Sequence, residues 1–243
     1  MRIRAVVFDA VGTLIHPDPP VSGAYARAAR RFGIHLEEAE IGDRFRSAFA
    51  RQEEFDRRCG HLTSAAREIE RWREIVSDVF REAVPSAETR ERIFAELWRH
   101  FAQPKSWRVD QEAASCWQAL AARGLIIAIA SNFDDRLLEI ARQIVPLDRA
   151  ERLFISARIG HRKPAAEFFC FVERDLALAP SKFLFVGDDL ENDYQGAKSV
   201  GWQAILLNRI GGRSSTPDNA VISSLSELTD RIDQFDGGLI NPA

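Results

Sequence analysis

The chain has 243 residues, of which 46% are hydrophobic and 28% charged, a balance typical of globular proteins that bury a substantial core. Its formal net charge of -3 at pH 7 provides no positive field for nucleic acid or for an anionic membrane surface. No apolar run of about 18 residues is present to span a membrane, so we expect a cytoplasmic protein that binds a small molecule.

Five short apolar segments predict the strands of a buried sheet. They lie at residues 3–8, 125–130, 152–156, 183–186 and 204–207, and a weaker sixth lies at residues 220–222. Helix-like segments separate most of them. Because buried apolar strands that alternate with helices are typical of a parallel sheet covered on both faces, the sequence predicts an α/β fold.

The interval between the first two predicted strands is predicted to be helical. It spans roughly a hundred residues, whereas one crossover connection needs only about a dozen. The four amphipathic segments within it are residues 21–32, residues 41–55, a segment that begins with a Thr63 cap and ends before Pro85, and a segment that begins with a Ser86 cap. We expect their aromatic residues to form a packing core and not a ligand-binding surface.

These patterns predict two domains. An α/β core would comprise residues 1–16 and 104–243, and an inserted helical domain, here called the cap, would comprise residues 17–103. Residues 17–20 and 103–107 are the expected hinges. Four arginines of the cap are expected to be solvated on helix faces and not to bind a substrate anion: Arg27, Arg30, Arg31 and Arg51.

Polar side chains follow the predicted strands at the point where each strand ends. They are Asp9 and Thr13 after the first strand, Ser131 and Asn132 after the second, Lys163 near the third, and Asp188, Asp189 and Asp193 after the fourth. Because the carboxyl ends of parallel strands meet at one edge of the sheet, these residues are expected to face a single crevice.

The four aspartates among these residues indicate a metal site. Several carboxylates in one crevice repel one another and resist ionisation unless a cation lies among them. Their hard oxygen atoms suit Mg²⁺, which keeps part of its water shell and shares oxygens with substrate phosphate groups. Lys163 would offset part of the remaining negative charge. We therefore expect Mg²⁺ as the cofactor.

Four segments of the sequence resemble the motifs of the haloacid dehalogenase-like hydrolase superfamily. In the order of the family's motifs they are residues 6–14, Ser131-Asn132, Lys163-Pro164 and residues 185–197. Their order and spacing agree from residue 3 to about residue 207, and the helical insertion lies where the family carries a helical cap. The resemblance implies a Rossmann-like core with strand order 5-4-1-2-3, in which Asp9 follows the central strand.

The resemblance also implies a role for each strand-end residue. Asp9 would attack the substrate and form an aspartyl intermediate that water hydrolyses. Thr13 and Ser131 would bond phosphoryl oxygens, Asn132 would help to position the substrate, and Lys163 would position Asp9 and neutralise developing charge. The implied metal-binding residues are Asp9, Val11 through its backbone carbonyl, Asp188, and, through water or by orienting the others, Asp189 and Asp193.

Val11 departs from the family's pattern. Phosphatases of the superfamily usually carry an aspartate there as a general acid, and general acid–base catalysis is worth roughly 10² to 10⁴ in rate. A phosphatase with Val11 would need a substitute acid, such as His16, Asp18 or a cap residue, or a good leaving group such as a phenol or an acyl phosphate. We predict a Mg²⁺-dependent phosphatase that acts on a small phosphorylated metabolite.

Other reactions are compatible with Val11 to different degrees. A haloacid dehalogenase needs no such acid, but Asp188 and Asp189 would repel a carboxylate substrate. A phosphonate-cleaving enzyme would need a lysine in the cap, and residues 21–101 contain none. A weak or inactive protein that retains Mg²⁺ and phosphate binding remains a further alternative.

Overall fold

A six-stranded parallel sheet forms the centre of the fold in the computed structural model, which describes residues 2–209 and 216–236. The strands in chain order are β1 (Ala5–Phe8), β2 (Ile15–Pro17), β3 (Trp107–Val109), β4 (Ile126–Ser131), β5 (Arg152–Ile155), β6 (Phe183–Gly187), β7 (Gln203–Leu207) and β8 (Val221–Ile222). The turn-rich loop that the sequence predicts after Asn208 lies mostly outside the described residues.

The order of the strands confirms the predicted topology. The large sheet runs β5-β4-β1-β6-β7-β8, and each neighbouring pair in it is parallel. The five predicted strands correspond, in chain order, to β1, β4, β5, β6 and β7. When they are numbered 1 to 5 and the sheet is read starting from β7, the order is 5-4-1-2-3. The weak sixth segment is β8, which pairs with β7. The observed strands differ from the predicted ranges by one or two residues at their ends.

Both faces of this sheet are buried, because successive residues of its central strands pack into different hydrophobic clusters. Val6 and Phe8 of β1 belong to one cluster, whereas Ala5 and Val7 belong to the cluster on the other face. Strands β4 and β6 alternate in the same way. Since neither face meets water, these strands are continuous apolar runs in the sequence.

Helices cover both faces of the sheet and form the inserted segment. In chain order the described helices are α1 (Val21–Arg30), α2 (Glu38–Arg58), α3 (Ala65–Phe80), α4 (Ala87–His100), α5 (Ala113–Ala122), α6 (Arg136–Gln143), α7 (Ser156–Ile159), α8 (Ala166–Leu176), α9 (Gly196–Ser199) and α10 (Leu228–Asp236). Helices α5, α6 and α10 pack in the cluster that contains Phe8, and α8 and α9 pack on the other face. None of the described helices has the length and apolar character that crossing a membrane requires.

Helices α1–α4 pack around a hydrophobic cluster of their own. All fully buried members of this cluster lie between Ala24 and Leu97. A separate core of this kind supports our proposal that residues 17–103 form a cap, inserted into a core of residues 1–16 and 104–243.

The caps of two of these helices were predicted, and one prediction was wrong. Ser86 caps α4 as predicted, since its Oγ accepts a hydrogen bond from the backbone nitrogen of Thr89 at 3.2 Å. Helix α3 is capped by Ser64 and not by Thr63, because the Ser64 Oγ accepts from the backbone nitrogen of Arg67 at 3.1 Å. The Thr63 hydroxyl instead donates to Glu68 Oε1 at 2.7 Å.

The two connections between core and cap form a short antiparallel ribbon. Strands β2 and β3 place Ile15 opposite Val109 and Pro17 opposite Trp107. Sequence analysis predicted hinges at residues 17–20 and 103–107 but no pairing between them. Strands of three residues, one of them ending in proline, are too short to show a recognisable alternation.

A second junction joins the cap to the core at a distance from this ribbon. The loop between α2 and α3 meets the loop between α7 and α8, where Leu62 and His161 form an isolated antiparallel bridge. The backbone nitrogen of Thr63 donates to the Gly160 carbonyl at 2.9 Å, and that of Arg162 donates to the His61 carbonyl at 2.9 Å. The core loop in this junction also carries Lys163.

Candidate active site

A cavity of about 340 Å³ lies between the carboxyl ends of the central strands and helices α1–α4. The predicted site residues that line it are Asp9, Val11, Ser131, Asn132, Lys163, Asp188, Asp189 and Asp193. Of the residues predicted to form the site, only Thr13 is absent from this lining. The fold therefore brings the strand ends together as the sequence predicted, since parallel strands share one carboxyl edge.

Lys163 lies between two carboxylates at the bottom of this crevice. Its Nζ donates to Asp9 Oδ1 at 2.8 Å and to Asp193 Oδ1 at 2.6 Å, and only 2% of the residue is exposed. Burial lowers the pKa of Lys163, but Asp193 and Asp9 raise it more, so the pKa lies above its usual range and the lysine is a cation.

Three carboxylates converge beside this lysine. One oxygen from each of Asp9, Asp188 and Asp193 lies within 4.8 Å of the others. Burial raises the pKa of Asp9 against the opposing effect of Lys163. Loss of solvation, together with the neighbouring carboxylates, raises the pKa of Asp188 to about 6 and, despite Lys163, that of Asp193 to about 7. One lysine cannot neutralise three carboxylates, so the cluster has the charge surplus and the hard oxygen donors that fit a divalent cation.

Two glycines allow these carboxylates to approach the backbone. Gly12 has a φ of +96°, and a Cβ there would lie 2.2 Å from Asp188 Oδ2. A Cβ on Gly187 would lie 2.1 Å from Asp193 Oδ2. Neither position accommodates a side chain without displacing a carboxylate of the cluster.

Thr13 and Ser131 are placed differently, although both were predicted to bond phosphoryl oxygens. Thr13 is fully buried, and its Oγ1 donates to Asp188 Oδ1 at 3.2 Å. Ser131 ends β4 and lines the cavity, and its hydroxyl has no hydrogen-bond partner among the described residues. The Ser131 hydroxyl is therefore the one of the two that is available to a ligand in the cavity.

The Asn132 side chain binds the backbone of Lys163. Its Nδ2 donates to the Lys163 carbonyl at 2.9 Å, and its Oδ1 accepts from the Lys163 backbone nitrogen at 2.8 Å. This pair of bonds fixes the loop that carries the lysine, so Asn132 orients Lys163 in addition to lining the cavity.

Asp189 lies beside the acidic cluster but caps a turn. Its Oδ1 accepts from the backbone nitrogens of Glu191 and Asn192 at 2.9 and 2.8 Å, at the start of the π-helical turn Leu190–Gln195. That turn carries Asp193 into the crevice. Asp189 thus orients another carboxylate, one of the two roles that the resemblance implied for it.

Of the substitutes expected for the missing acid, His16 and Asp18 do not reach this cavity, whereas the cap places a carboxylate in it, that of Glu53, which pairs with Arg71. His16 lies on β2 with its Nε2 3.5 Å from Asp110 Oδ2, and it does not line the cavity. Asp18 lines a different, polar cavity between the ribbon and helices α1 and α4. Val11 lines the Asp9 cavity, so the position of the usual acid is apolar.

The cap contributes residues to the cavity that sequence analysis did not assign to it. The four cap arginines were not expected to bind a substrate anion, and none of them lines the Asp9 cavity. Arg51, for example, pairs with Asp78 at 2.9 Å. The aromatic residues pack in the core of the cap as expected, and several of them also line the cavity. The cap residues of the lining that were missed include Phe45, Phe49, Glu53, Arg71, Trp72, Phe94 and Trp98. Two arginines of the core were missed as well, Arg136 and Arg162. The direction in which a helix face points depends on packing against the core, which no local pattern encodes.

One family of known proteins matches most of the chain. The family model for haloacid dehalogenase-like hydrolases matches residues 3–201. The human haloacid dehalogenase-like hydrolase domain-containing protein 3 is 28% identical over 245 residues, which cover 98% of this chain and 96% of that protein.

Solved structures share the fold over almost the whole chain. An HAD phosphatase from Thermococcus onnurineus has a TM-score of 0.63 at 22% identity, covering 94% of this chain and 97% of the other. The Bacillus subtilis protein YfnB bound to magnesium has a TM-score of 0.72 at 20% identity, covering 96% and 100%. A 2-haloacid dehalogenase from Pseudomonas syringae has a TM-score of 0.65 at 19% identity, covering 96% and 99%. These similarities concern the fold, which phosphatases and dehalogenases share.

Proposed function

Because the chain belongs to the haloacid dehalogenase-like hydrolases, we propose that it is a Mg²⁺-dependent phosphatase that hydrolyses a small phosphorylated metabolite through Asp9. The observation that carries this proposal is the charge of the crevice. Asp9, Asp188 and Asp193 converge within 4.8 Å beside one lysine, which leaves negative charge for a divalent cation to neutralise. The magnesium in the YfnB structure supports the choice of ion.

The proposed ligands of Mg²⁺ are the carboxylates of Asp9, Asp188 and Asp193 and the backbone carbonyl of Val11. Thr13 would hold Asp188 in place through the bond between their side chains, and Asp189 would hold the turn that carries Asp193. Bound there, Mg²⁺ would neutralise charge on the phosphoryl oxygens.

The protein's own groups account for the bond changes. A carboxylate oxygen of Asp9 forms a bond to phosphorus while the ester P–O bond breaks, which leaves an aspartyl phosphate. Lys163, held by Asn132, favours the ionised form of Asp9 and orients it, and the Ser131 hydroxyl donates to a phosphoryl oxygen. Water then adds to phosphorus and the bond to Asp9 breaks, which releases inorganic phosphate.

Haloacid dehalogenation is the second candidate, favoured by the apolar Val11 at the position of the acid. A departing halide needs no proton, and the fold is shared with the Pseudomonas syringae dehalogenase. The acidic cluster argues against dehalogenation, because the carboxylate of a haloacid would be repelled by Asp9, Asp188 and Asp193. The lysine beside them already binds Asp9 and Asp193.

One assay separates these reactions. The purified chain would be incubated with acetyl phosphate, phenyl phosphate and 2-chloropropionate, each with Mg²⁺ and with a chelator. We expect phosphate release that requires Mg²⁺ and is lost in Asp9→Asn. Halide release that persists in the presence of the chelator would show that the protein is a dehalogenase and not a phosphatase. No turnover of any of the three, with Mg²⁺ binding intact, would contradict the proposed phosphatase and favour the alternative of a protein that binds Mg²⁺ and phosphate.

A further inference from the structure

The wall of the cavity opposite the acidic cluster is aromatic. It is formed by Phe45 and Phe49 of α2, Trp72 of α3, and Phe94 and Trp98 of α4. The rings of Phe45, Phe49 and Trp72 lie with their centres 5.8 to 6.5 Å apart, so they form a continuous surface. A surface of this kind favours a flat, apolar group over a flexible polar one.

The cationic side chains that line the cavity are all paired with carboxylates. Arg71 donates to Asp56 at 2.9 Å and also pairs with Glu53. Arg136 donates to both oxygens of Asp134, at 2.8 and 2.7 Å.

The third arginine of the lining, Arg162, pairs with Glu68, while Lys163 binds Asp9 and Asp193. No unpaired cation therefore lines the cavity among residues 2–209 and 216–236. A second anionic group on the substrate would have no counterion there, and burying a charge without one is costly.

Two of these arginines add to the apolar surface. The guanidinium carbon of Arg71 lies 4.6 Å from the centre of the Phe49 ring, and that of Arg136 lies 3.5 Å from the centre of the Trp98 ring. Because Asp56, Glu53 and Asp134 already accept from these guanidinium groups, Arg71 and Arg136 contribute planar groups stacked on aromatic rings and not free cations.

The apolar Val11 restricts the leaving group. Val11 cannot donate a proton to a departing oxygen, and no histidine lines the cavity among the described residues. The cap carboxylate in the lining, Glu53, is paired with Arg71, which favours its ionised form over a proton donor. An aliphatic alkoxide would then leave as a strong base. A phenol loses its proton near pH 10, as tyrosine does, so its anion departs without help from an acid.

We propose that the substrates of this site are aryl phosphates, monoesters of an uncharged phenol whose ring lies against Phe45, Phe49 and Trp72. This inference rests on the proposed phosphatase function. When Asp9 attacks phosphorus, the electron pair of the broken P–O bond leaves on the phenolate oxygen, which takes a proton from water after release. Water then adds to phosphorus, the bond to Asp9 breaks, and the products are a phenol and inorganic phosphate.

The first test is a comparison of matched substrates in the presence of Mg²⁺. Phenyl phosphate and cyclohexyl phosphate have similar size and polarity but differ in the leaving group, while 4-carboxyphenyl phosphate adds a charge and glycerol 3-phosphate is polar. We expect kcat/KM for phenyl phosphate to exceed each of the other three by at least about tenfold. Equal or better turnover of glycerol 3-phosphate or cyclohexyl phosphate would overturn the aryl assignment, and equal or better turnover of 4-carboxyphenyl phosphate would overturn the requirement for an uncharged phenol. Either result would leave the phosphatase intact. No phosphate release from any substrate, acetyl phosphate included, would overturn both.

Phenyl esters are more reactive than cyclohexyl esters even without an enzyme, and the variant Val11→Asp is the control for this difference. If the missing acid causes the preference, this variant should lower the ratio of kcat/KM for phenyl over cyclohexyl phosphate by at least about tenfold, since an acid contributes roughly 10² to 10⁴ to the poor leaving group alone. An unchanged ratio would contradict the explanation through Val11.

The aromatic wall is tested with Phe49→Leu, which removes a ring and retains an apolar side chain. We expect KM for 1-naphthyl phosphate to rise about three- to tenfold more than KM for acetyl phosphate, which has no ring to place. Phe171→Ala, at an exposed phenylalanine of α8 outside the cavity, is the matched control. If both KM values change equally in a folded Phe49→Leu protein, the aromatic wall does not take part in substrate binding.

Discussion

Lys163 holds the two carboxylates nearest to it, and Asn132 holds Lys163. Because the lysine is buried, its charge depends on Asp9 and Asp193, and their charges depend on it. Removing Lys163 would leave two buried carboxylates without their cation. The third carboxylate, Asp188, has no cation of its own among the described residues, and this is where a metal adds most to the charge balance.

The first prediction concerns the dependence of Mg²⁺ binding on pH. Asp193 and Asp188 have pKa values raised to about 7 and about 6. The folded protein therefore binds more protons than the unfolded chain between about pH 4 and 7, and the contribution of these groups to stability falls as pH rises through that window. A metal must displace those protons, so Mg²⁺ should raise the melting temperature at pH 8 and much less at pH 5.

The measurement is a thermal melt at each pH with Mg²⁺ or with a chelator. Comparing the two melts at one pH cancels titrations elsewhere in the chain, such as those of His16 and His100. Asp188→Asn is the control and should lose most of the Mg²⁺ effect at pH 8. An equal Mg²⁺ effect at both pH values would contradict metal binding by these carboxylates.

The second prediction concerns the close approach of Asp193 to Gly187. In Gly187→Ala the added Cβ would meet Asp193 Oδ2 at 2.1 Å and the Asp193 Cβ at 2.6 Å, so Asp193 must move. We expect at least about tenfold weaker Mg²⁺ binding by calorimetry, which corresponds to about 1.4 kcal/mol.

Gly42→Ala in α2 is the matched control for that variant. Its Cβ would lie 3.5 Å from the nearest atom, on the flexible Arg46 side chain, so neither Mg²⁺ binding nor folding should suffer. If Gly187→Ala folds and binds Mg²⁺ as the unchanged chain does, the geometry assigned to Asp193 is incorrect.

Single-residue roles were predictable only where they follow from position after a strand. Asp9 and Ser131 lie at the ends of β1 and β4, whereas Lys163 lies in the loop between α7 and α8 that follows β5. Thr13 and Asp189 belong to the same segments, but the partners of their side chains are set by turns of a few residues. A pattern of residue types does not distinguish a hydroxyl that faces a ligand from one that bonds a neighbouring carboxylate.

Helices α2 and α3 are tied to the core by a buried ionic network around Arg162. This arginine is 3% exposed and pairs with Glu68 of α3, which is 1% exposed, and its Nε lies 3.6 Å from Asp56 Oδ2 of α2. Since Arg162 precedes Lys163 in the same loop, the network fixes the position of that loop against the cap.

The third prediction tests this network. Arg162→Met leaves the Glu68 carboxylate buried without its cation and should lower the free energy of unfolding by about 3 to 5 kcal/mol. The double variant Arg162→Met/Glu68→Met should lose less than the sum of the two single variants, because it removes both charges. Urea denaturation monitored by tryptophan fluorescence measures all three. Additive losses would mean that the two side chains do not interact.

The large elements were predictable, and the contacts between them were not. The strands of the large sheet and the four helices of the insertion follow from continuous apolar runs and from helical periodicity. The ribbon of β2 and β3 and the bridge between Leu62 and His161 involve a few residues each, far apart in the chain. Short non-local pairings leave no periodic signal in one sequence.

At the scale of the whole molecule, the two parts contribute different chemistry to one cavity. The sheet provides the charged groups at its carboxyl edge, and helices α2–α4 provide the aromatic wall. The topology allowed the first contribution to be predicted, because strand order fixes which ends are neighbours. The second depends on how the helices are rotated above the sheet, so the aromatic residues of the cap, such as Phe45 and Trp72, were assigned to packing alone.

The fourth prediction tests the central claim, which is that Asp9 carries the phosphoryl group. The protein would be mixed with phenyl phosphate and Mg²⁺, quenched in acid during the first turnover, and examined by intact-mass spectrometry and peptide mapping. We expect one phosphoryl group on the peptide that contains Asp9, and neither this adduct nor phosphate release in Asp9→Asn. Phosphate release without an adduct at Asp9, or release that persists in Asp9→Asn, would contradict the account.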